Sequence, residues 1–183
     1  QDIPQRFKEL LIKKEDRFFY LHVGINPLSI LRNTISYITT GKLEGSSTLS
    51  QQLTKIILGN EGKRTFWNKM VEALYTTSLE LHASKNEILR MYASTAYFGN
   101  QTQGIKEASL FYFNKQPELL TDNEIISLLA TLNNPSWRHP GTFENKKILP
   151  HLANMLGVHV DTTSPDIKKN KQTFTIQIIF ANS

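Results

Sequence analysis

The segment Gly45-Ser46-Ser47-Thr48-Leu49-Ser50-Gln51-Gln52-Leu53-Thr54-Lys55 places a glycine and several hydroxyl side chains just before an apolar run. Thr48 and Gln51 have the spacing of a capping box, in which two side chains satisfy each other's backbone amides at a helix start. The same spacing recurs at two further pairs, Ser84 with Glu87 and Thr121 with Glu124. These helix starts predict a mostly α-helical chain.

Hydrophobic periodicity extends this prediction along the chain. We expect helices near 5–14, 27–40, 48–58, 65–82, 85–97, 104–113, 122–132 and 144–156. Apolar and polar side chains alternate over 173–180, which predicts a strand. The predicted organisation is one helical domain over 1–157 and a tail over 158–183, either a β-hairpin or the start of a further segment.

Composition narrows the function classes. The chain has 183 residues, a net charge of +5 and no cysteine, so disulfides, thiolate metal sites and cysteine nucleophiles are excluded. No apolar run approaches the roughly 20 residues that span a bilayer. There is no dense basic tract, so nucleic acid is not expected as a partner. The sequence starts at Gln1 without a signal peptide, so a membrane anchor is expected outside it.

Two regions besides the opening segment carry residues that could do chemistry. Glu15 directly follows a predicted helix and precedes a run of aromatic residues, where lost hydration would make it a usable acid or base. A solvated helix end is the alternative. Lys69 and Glu72 share a helix face, with Arg64 just ahead of it. They form either a surface ion pair or a polar face that presents a carboxylate and cations to a ligand.

The opening segment also has two interpretations. The helix start behind Ser47 and Thr48 can hold an anion, and Lys55 lies two turns on to add positive charge. The second interpretation is ordinary helix capping, with Gln51 and Gln52 exposed. The spacings of a P-loop, a histidine zinc site, a Gly-x-Ser-x-Gly hydrolase and a penicillin-binding transpeptidase are all missing.

In order along the chain, these segments resemble the peptidoglycan glycosyltransferase domain, glycosyltransferase family 51, of penicillin-binding proteins and monofunctional transglycosylases. The likeness extends from about Phe7 to Pro140. It is carried by the following motifs: Glu15-Asp16-x-x-Phe19-Tyr20-x-His22-x-Gly24, Gly45-x-Ser47-Thr48-Leu49-Ser50-Gln51-Gln52-Leu53-x-Lys55, Arg64 with Lys69-x-x-Glu72, Glu87-Ile88-Leu89-x-x-Tyr92, and Tyr97-Phe98-Gly99 with Gly104-Ile105.

The resemblance implies a mostly helical, lysozyme-like domain of two lobes, with a small membrane-facing lobe over about 27–63. It implies polymerisation of lipid II into a lipid-linked glycan chain, with release of undecaprenyl pyrophosphate. The site would lie at the outer face of the bacterial cytoplasmic membrane, and other cell-wall synthesis proteins are expected partners.

Site roles follow from the same resemblance. Glu15 would be the general base and Glu72 would assist at the pyrophosphate end, with Mg²⁺ or Mn²⁺ as a candidate ion beside it. The residues expected to bind the donor substrate are Ser47, Thr48, Gln51, Lys55, Arg64 and Lys69.

This sequence departs from the family pattern at Asn68, where arginine is usual, and at Ala93-Ser94, where Leu-Asn is usual. Those departures keep open a weak or inactive scaffolding domain of the same fold. A lytic transglycosylase, which cleaves glycan with one acidic glutamate, is a further alternative. The expected phosphate-binding cations argue against it, because glycan cleavage releases no pyrophosphate.

Overall fold

The computed structural model describes residues 3–27, 35, 38–40, 47–59 and 66–159. Within those ranges the chain is mostly α-helical, as predicted. The helices are α1 (Gln5–Glu15), α2 (Leu49–Leu58), α3 (Phe66–His82), α4 (Lys85–Thr95), α5 (Gly104–Phe113), α6 (Asp122–Thr131) and α7 (Phe143–Leu156). Arg64 and the predicted strand over 173–180 lie outside the described residues. So do most of the predicted helix over 27–40 and about half of the small lobe.

All three capping boxes are present. Thr48, Ser84 and Thr121 each accept a backbone N–H from the glutamine or glutamate three residues on, whose side chain accepts the cap residue's own N–H. Gly157, at φ 64°, ends α7 as predicted. That helix starts one residue earlier than expected because Thr142 caps it by accepting from the backbone N–H of Asn145.

Helix α6 lies at the centre of the domain, because its residues from Glu124 to Thr131 are all buried. It packs against α1 and α7, which also contact each other, and α2 packs against both α3 and α4. Arg6 joins α1 to the start of α6 through a hydrogen bond from Nε to Asp122 Oδ1 at 2.9 Å. The end of α1 meets the start of α2 through Asp16, which accepts the backbone N–H of Leu49.

A tight turn follows α4. Tyr97 and Gln103 form an isolated antiparallel bridge around it, and no longer strand occurs in the part of the chain that the structure describes. Asn100 and Gln101 both have positive φ, at 48° and 62°. The backbone is left-handed at Gln101, a conformation that glycine adopts without strain.

Candidate active site

Glu15 is the last residue of α1, and its side chain is only 10% exposed. Its Oε1 contacts the ammonium of Lys14, and its Oε2 accepts a hydrogen bond from Gln52 Nε2 at 3.1 Å. The nearby aromatic residues Phe18 and Tyr20 are 44% and 56% exposed. The contacts that the structure gives Glu15 come from Lys14 and α2, whereas the sequence pattern pointed to the aromatic run.

Asp16, the next residue, fixes the end of α1 to the start of α2. It is buried, and its Oδ2 accepts the backbone N–H of Leu49 at 3.1 Å. Both of its carboxylate oxygens lie 3.0 Å from His22 Nε2. The buried Nδ1 of His22 has no hydrogen-bond partner. Since an unpaired N–H costs more in a buried site than a lone pair does, we assign the proton to Nε2, which donates to Asp16.

The loop after His22 is also joined to the start of α2 by a hydrogen bond. The Thr48 hydroxyl donates to the carbonyl of Gly24 at 2.6 Å, so the residue that caps α2 also grips this loop. Gly24 has a φ of 86°, and a Cβ there would lie 2.7 Å from Thr76 Cγ2 on α3. Only glycine fits this backbone approach, which seats the loop between α2 and α3.

Gln52 is half-buried and uses both ends of its amide. Its nitrogen donates to Glu15, and its oxygen accepts from the Tyr92 hydroxyl at 2.9 Å. Burial raises the pKa of Tyr92 well above its usual range, and the negative charge of Glu15 raises that pKa further. Tyr92 therefore stays a neutral donor, which fixes the amide with its nitrogen toward Glu15.

A second carboxylate, that of Glu72, contacts the same face of α2 farther along the helix. Glu72 on α3 is 8% exposed, and its Oε1 is 2.8 Å from Lys69 Nζ and 3.9 Å from Lys55 Nζ. Lys55 also donates to the Ser47 hydroxyl at 3.2 Å. A buried carboxylate is costly unless cations offset its charge, and Lys55 and Lys69 do so here.

Helix α2 thus brings together residues that are distant in sequence. Gln52 contacts Glu15, and Lys55 contacts Glu72, on neighbouring positions of one helix face. Of the predicted site residues, the structure brings Glu15, Glu72, Ser47, Lys55 and Lys69 to this face of α2 and α3. Arg64 is outside the described residues.

Thr48 and Gln51 are both buried at the α2 N-terminus, and their side chains form its capping box. This is the capping role that the sequence offered as an alternative, but the exposure expected for Gln51 in that alternative is wrong, because Gln51 is 8% exposed. A direct role in substrate binding stays a prediction for these two residues.

Sequence reasoning missed Lys14 and the contact role of Gln52. Lys14 is one of two lysines in the last turn of α1, where a cation complements the C-terminal dipole of the helix. Gln52 was expected to be exposed, although its position three residues before Lys55 puts both on one helix face. Tyr92 was quoted only as part of a motif.

Glu15 also lines a cleft of about 430 Å³ between α1, α2, α6 and α7. Its polar lining includes Lys14, Gln52, Asn133 and His151, and its apolar lining includes Met155. An open space beside a carboxylate is where a substrate hydroxyl could approach it.

The resemblance also predicts a metal ion beside Glu72. In the described ranges, no group of three or more histidine, aspartate or glutamate side chains could hold a metal ion. Around Glu72 they supply one carboxylate and two ammonium groups, a set that suits an anion better than Mg²⁺ or Mn²⁺. A metal ion therefore stays a prediction from the resemblance.

None of the helices described is both long and apolar enough to cross a bilayer. One face of α3 nevertheless exposes apolar side chains at helical spacing. They are Trp67, Met70, Val71 and Leu74, exposed by 74%, 47%, 40% and 69%.

The chain is similar in sequence to several known proteins. The chain is 38% identical over 140 residues to penicillin-binding protein 4 of Bacillus subtilis (strain 168), covering 75% of this chain and 22% of that protein. It is 34% identical over 160 residues to penicillin-binding protein 1C of Escherichia coli (strain K12), covering 84% and 20%. It therefore spans about a fifth of the length of these two relatives.

A shorter relative is the biosynthetic peptidoglycan transglycosylase of Shewanella frigidimarina (strain NCIMB 400). It is 34% identical over 139 residues, which cover 76% of this chain and 61% of that protein. The family model described as transglycosylase matches residues 1–155, which include Glu15, Glu72 and the helix between them. The chain belongs to the transglycosylase family.

Proposed function

We propose that this chain is a peptidoglycan glycosyltransferase that polymerises lipid II into glycan strands. One observation carries the proposal: α2 connects a buried carboxylate beside an open cleft, Glu15, to a carboxylate flanked by two ammonium groups, Glu72. Glycosyl transfer with a pyrophosphate leaving group needs a base at the attacking hydroxyl and positive charge at the departing pyrophosphate.

In the proposed reaction, the acceptor sugar lies in the cleft with its 4-hydroxyl at Glu15. Glu15 takes the hydroxyl proton as the oxygen forms a bond to the anomeric carbon of the lipid-linked donor. The bond from that carbon to the pyrophosphate oxygen breaks, and undecaprenyl pyrophosphate leaves with the electron pair. Lys55 and Lys69 stabilise the negative charge that develops there.

Glu72 has a supporting part in this scheme. Its carboxylate holds the ammonium groups of Lys55 and Lys69 close together before the substrate arrives. Charges that are already in position need no reorganisation when the leaving group departs, which lowers the barrier.

The apolar face of α3 suggests how the enzyme reaches a lipid-bound substrate. Trp67, Met70 and Leu74 lie on the helix that also carries Lys69. Apolar side chains next to cations suit an anionic membrane surface. We propose that this face meets the outer leaflet of the bacterial cytoplasmic membrane, with the phosphate site beside it.

The test is polymerisation of labelled lipid II by the wild type and by Glu15→Gln, which keeps the side-chain shape. We expect the wild type to make glycan and Glu15→Gln to be slower by about 10²–10⁴-fold. Glu9→Gln, an exposed substitution on the same helix, is the matched control. An equal rate for Glu15→Gln would exclude the assigned base.

The same proteins address the alternatives. Incubation with polymeric peptidoglycan should release no soluble muropeptides, and their release would identify a lytic enzyme instead. A wild type that binds lipid II vesicles but makes no glycan would identify a scaffolding domain.

A further inference from the structure

The Lys14 ammonium lies inside the candidate active site although the side chain belongs to the last turn of α1. It contacts Glu15 Oε1, it is 3.3 Å from Asn133 Oδ1, and the side chain is only 5% exposed. Removing an ammonium from water costs free energy unless it is paired. The position of Lys14 therefore depends on these two oxygen partners.

The neighbouring lysine provides a contrast. Lys13 is exposed and donates to the backbone carbonyl of Leu156 at 2.5 Å, where it satisfies the end of α7. Lys13 thus has an ordinary structural role at a helix end. Among the described residues, Lys14 instead contacts two side chains, those of Asn133 and of Glu15, the carboxylate that the proposed mechanism uses.

Lys14 and Gln52 hold Glu15 from two sides. Lys14 contacts Oε1 and Gln52 donates to Oε2, so the plane of the carboxylate is set at both ends. A carboxylate can accept about four hydrogen bonds through two oxygens, so lone pairs remain on both. The carboxylate is therefore oriented and still able to accept a proton.

We propose that Lys14 is a positioning residue for the general base. It fixes the Glu15 carboxylate toward the cleft, and its positive charge stabilises the carboxylate where little water reaches it. The inference rests on the proposed function, since it needs Glu15 to be the base. A positioned base affects the chemical step rather than substrate binding.

The first test compares Lys14→Met, which keeps most of the side-chain volume, with Lys14→Arg and the control Lys13→Met. We expect Lys14→Met to lower kcat for lipid II polymerisation by about 10–100-fold, with KM within about twofold of wild type. Lys14→Arg should recover part of kcat, and Lys13→Met should leave it unchanged. Wild-type kcat in Lys14→Met would overturn the inference.

A double-mutant cycle separates positioning from a general structural effect. Rates are measured for wild type, Lys14→Met, Glu15→Gln and the double variant at high enzyme concentration. If Lys14 acts through Glu15, adding Lys14→Met to Glu15→Gln should not lower the residual rate further. An equal fold-loss in both backgrounds would contradict the proposal.

If Glu15→Gln has no measurable rate, urea unfolding of the same four proteins supplies the cycle. If the two substitutions shift the urea midpoint by less together than the sum of their separate shifts, the contact between Lys14 and Glu15 is supported. Shifts that simply add would overturn it. The two failures are distinct: an inactive wild type contradicts the proposed function, whereas an active wild type with a fully active Lys14→Met contradicts only this inference.

Discussion

The side-chain amide of Gln52 donates to Glu15 Oε2 at 3.1 Å, which joins α2 to the carboxylate that ends α1. Because the Tyr92 hydroxyl donates to the other end of the same amide, the amide cannot rotate by half a turn without losing both bonds. Gln52 therefore has a defined orientation in which only its N–H group faces the proposed base.

Gln52→Ala should lower kcat for lipid II polymerisation by about tenfold or more, because a hydrogen bond to a charged group contributes roughly 1.5–3 kcal/mol. KM should change little, since the amide orients the base rather than the substrate. Steady-state kinetics checks this, with the exposed Gln116→Ala as control. A Gln52→Ala variant with unchanged kcat would show that Glu15 needs no such support.

Substitution of the two lysines beside Glu72 should weaken the use of the donor to different degrees. The Lys55 side chain is 32% exposed and that of Lys69 is 55% exposed, so water and salt screen Lys69 more. We expect kcat/KM to fall about tenfold or more in Lys55→Met and less in Lys69→Met. Both losses should shrink as salt is raised, and exposed Lys106→Met is the control.

Stability should decline at high pH partly through Tyr92. Folding raises the pKa of this buried phenol, so the folded state holds the proton more tightly than the unfolded state does. That contribution to the free energy of unfolding is complete below about pH 10 and is lost as the pH rises further.

Urea unfolding at several pH values checks this expectation. Tyr92→Phe should be less stable than wild type at neutral pH, by about 1 kcal/mol, because it leaves Gln52 without a donor. Its loss of stability above pH 10 should be shallower, whereas the exposed Tyr75→Phe should follow wild type. Parallel curves for Tyr92→Phe and wild type would contradict the assignment.

Gln101→Gly should stabilise the fold. Gln101 has a φ of 62°, where a side chain is strained, and glycine relieves that strain at a smaller cost in unfolded-state entropy. We expect the free energy of unfolding to rise by about 0.5 kcal/mol and Tm by about 1–2 °C. Gln103→Gly, at a φ of −122°, is the control and should lower both quantities.

Local patterns predicted the helices well because their signals lie within a few residues. The Thr48, Ser84 and Thr121 caps each depend on a partner three positions away, so the sequence alone identifies them. The resemblance pointed to Glu15 and Glu72, but periodicity could not say whether Glu72 formed a surface pair or faced a buried site.

The contacts around Glu15 depend on how helices pack, and no spacing in the sequence encodes that. Gln52 is 37 residues from Glu15 in the chain, and Asn133 is 119 residues from Lys14. Lys13 and Lys14 are adjacent and chemically identical, yet they lie on different faces of α1. Lys13 contacts the end of α7, and Lys14 lies in the cleft beside Glu15.

Gln52 lies about one turn before Lys55 on α2, so the geometry of this helix separates the contact to Glu15 from the contact to Glu72. Three residues of helix rise by about 4.5 Å, so the helical rise sets the spacing along α2 between the residue that contacts Glu15 and the residue that contacts Glu72. A single residue inserted between them would rotate the second by about 100° off this face while leaving both side chains intact. In the proposed reaction, one turn of this helix would thus set the distance between the group that holds the base and the cation that faces the leaving pyrophosphate.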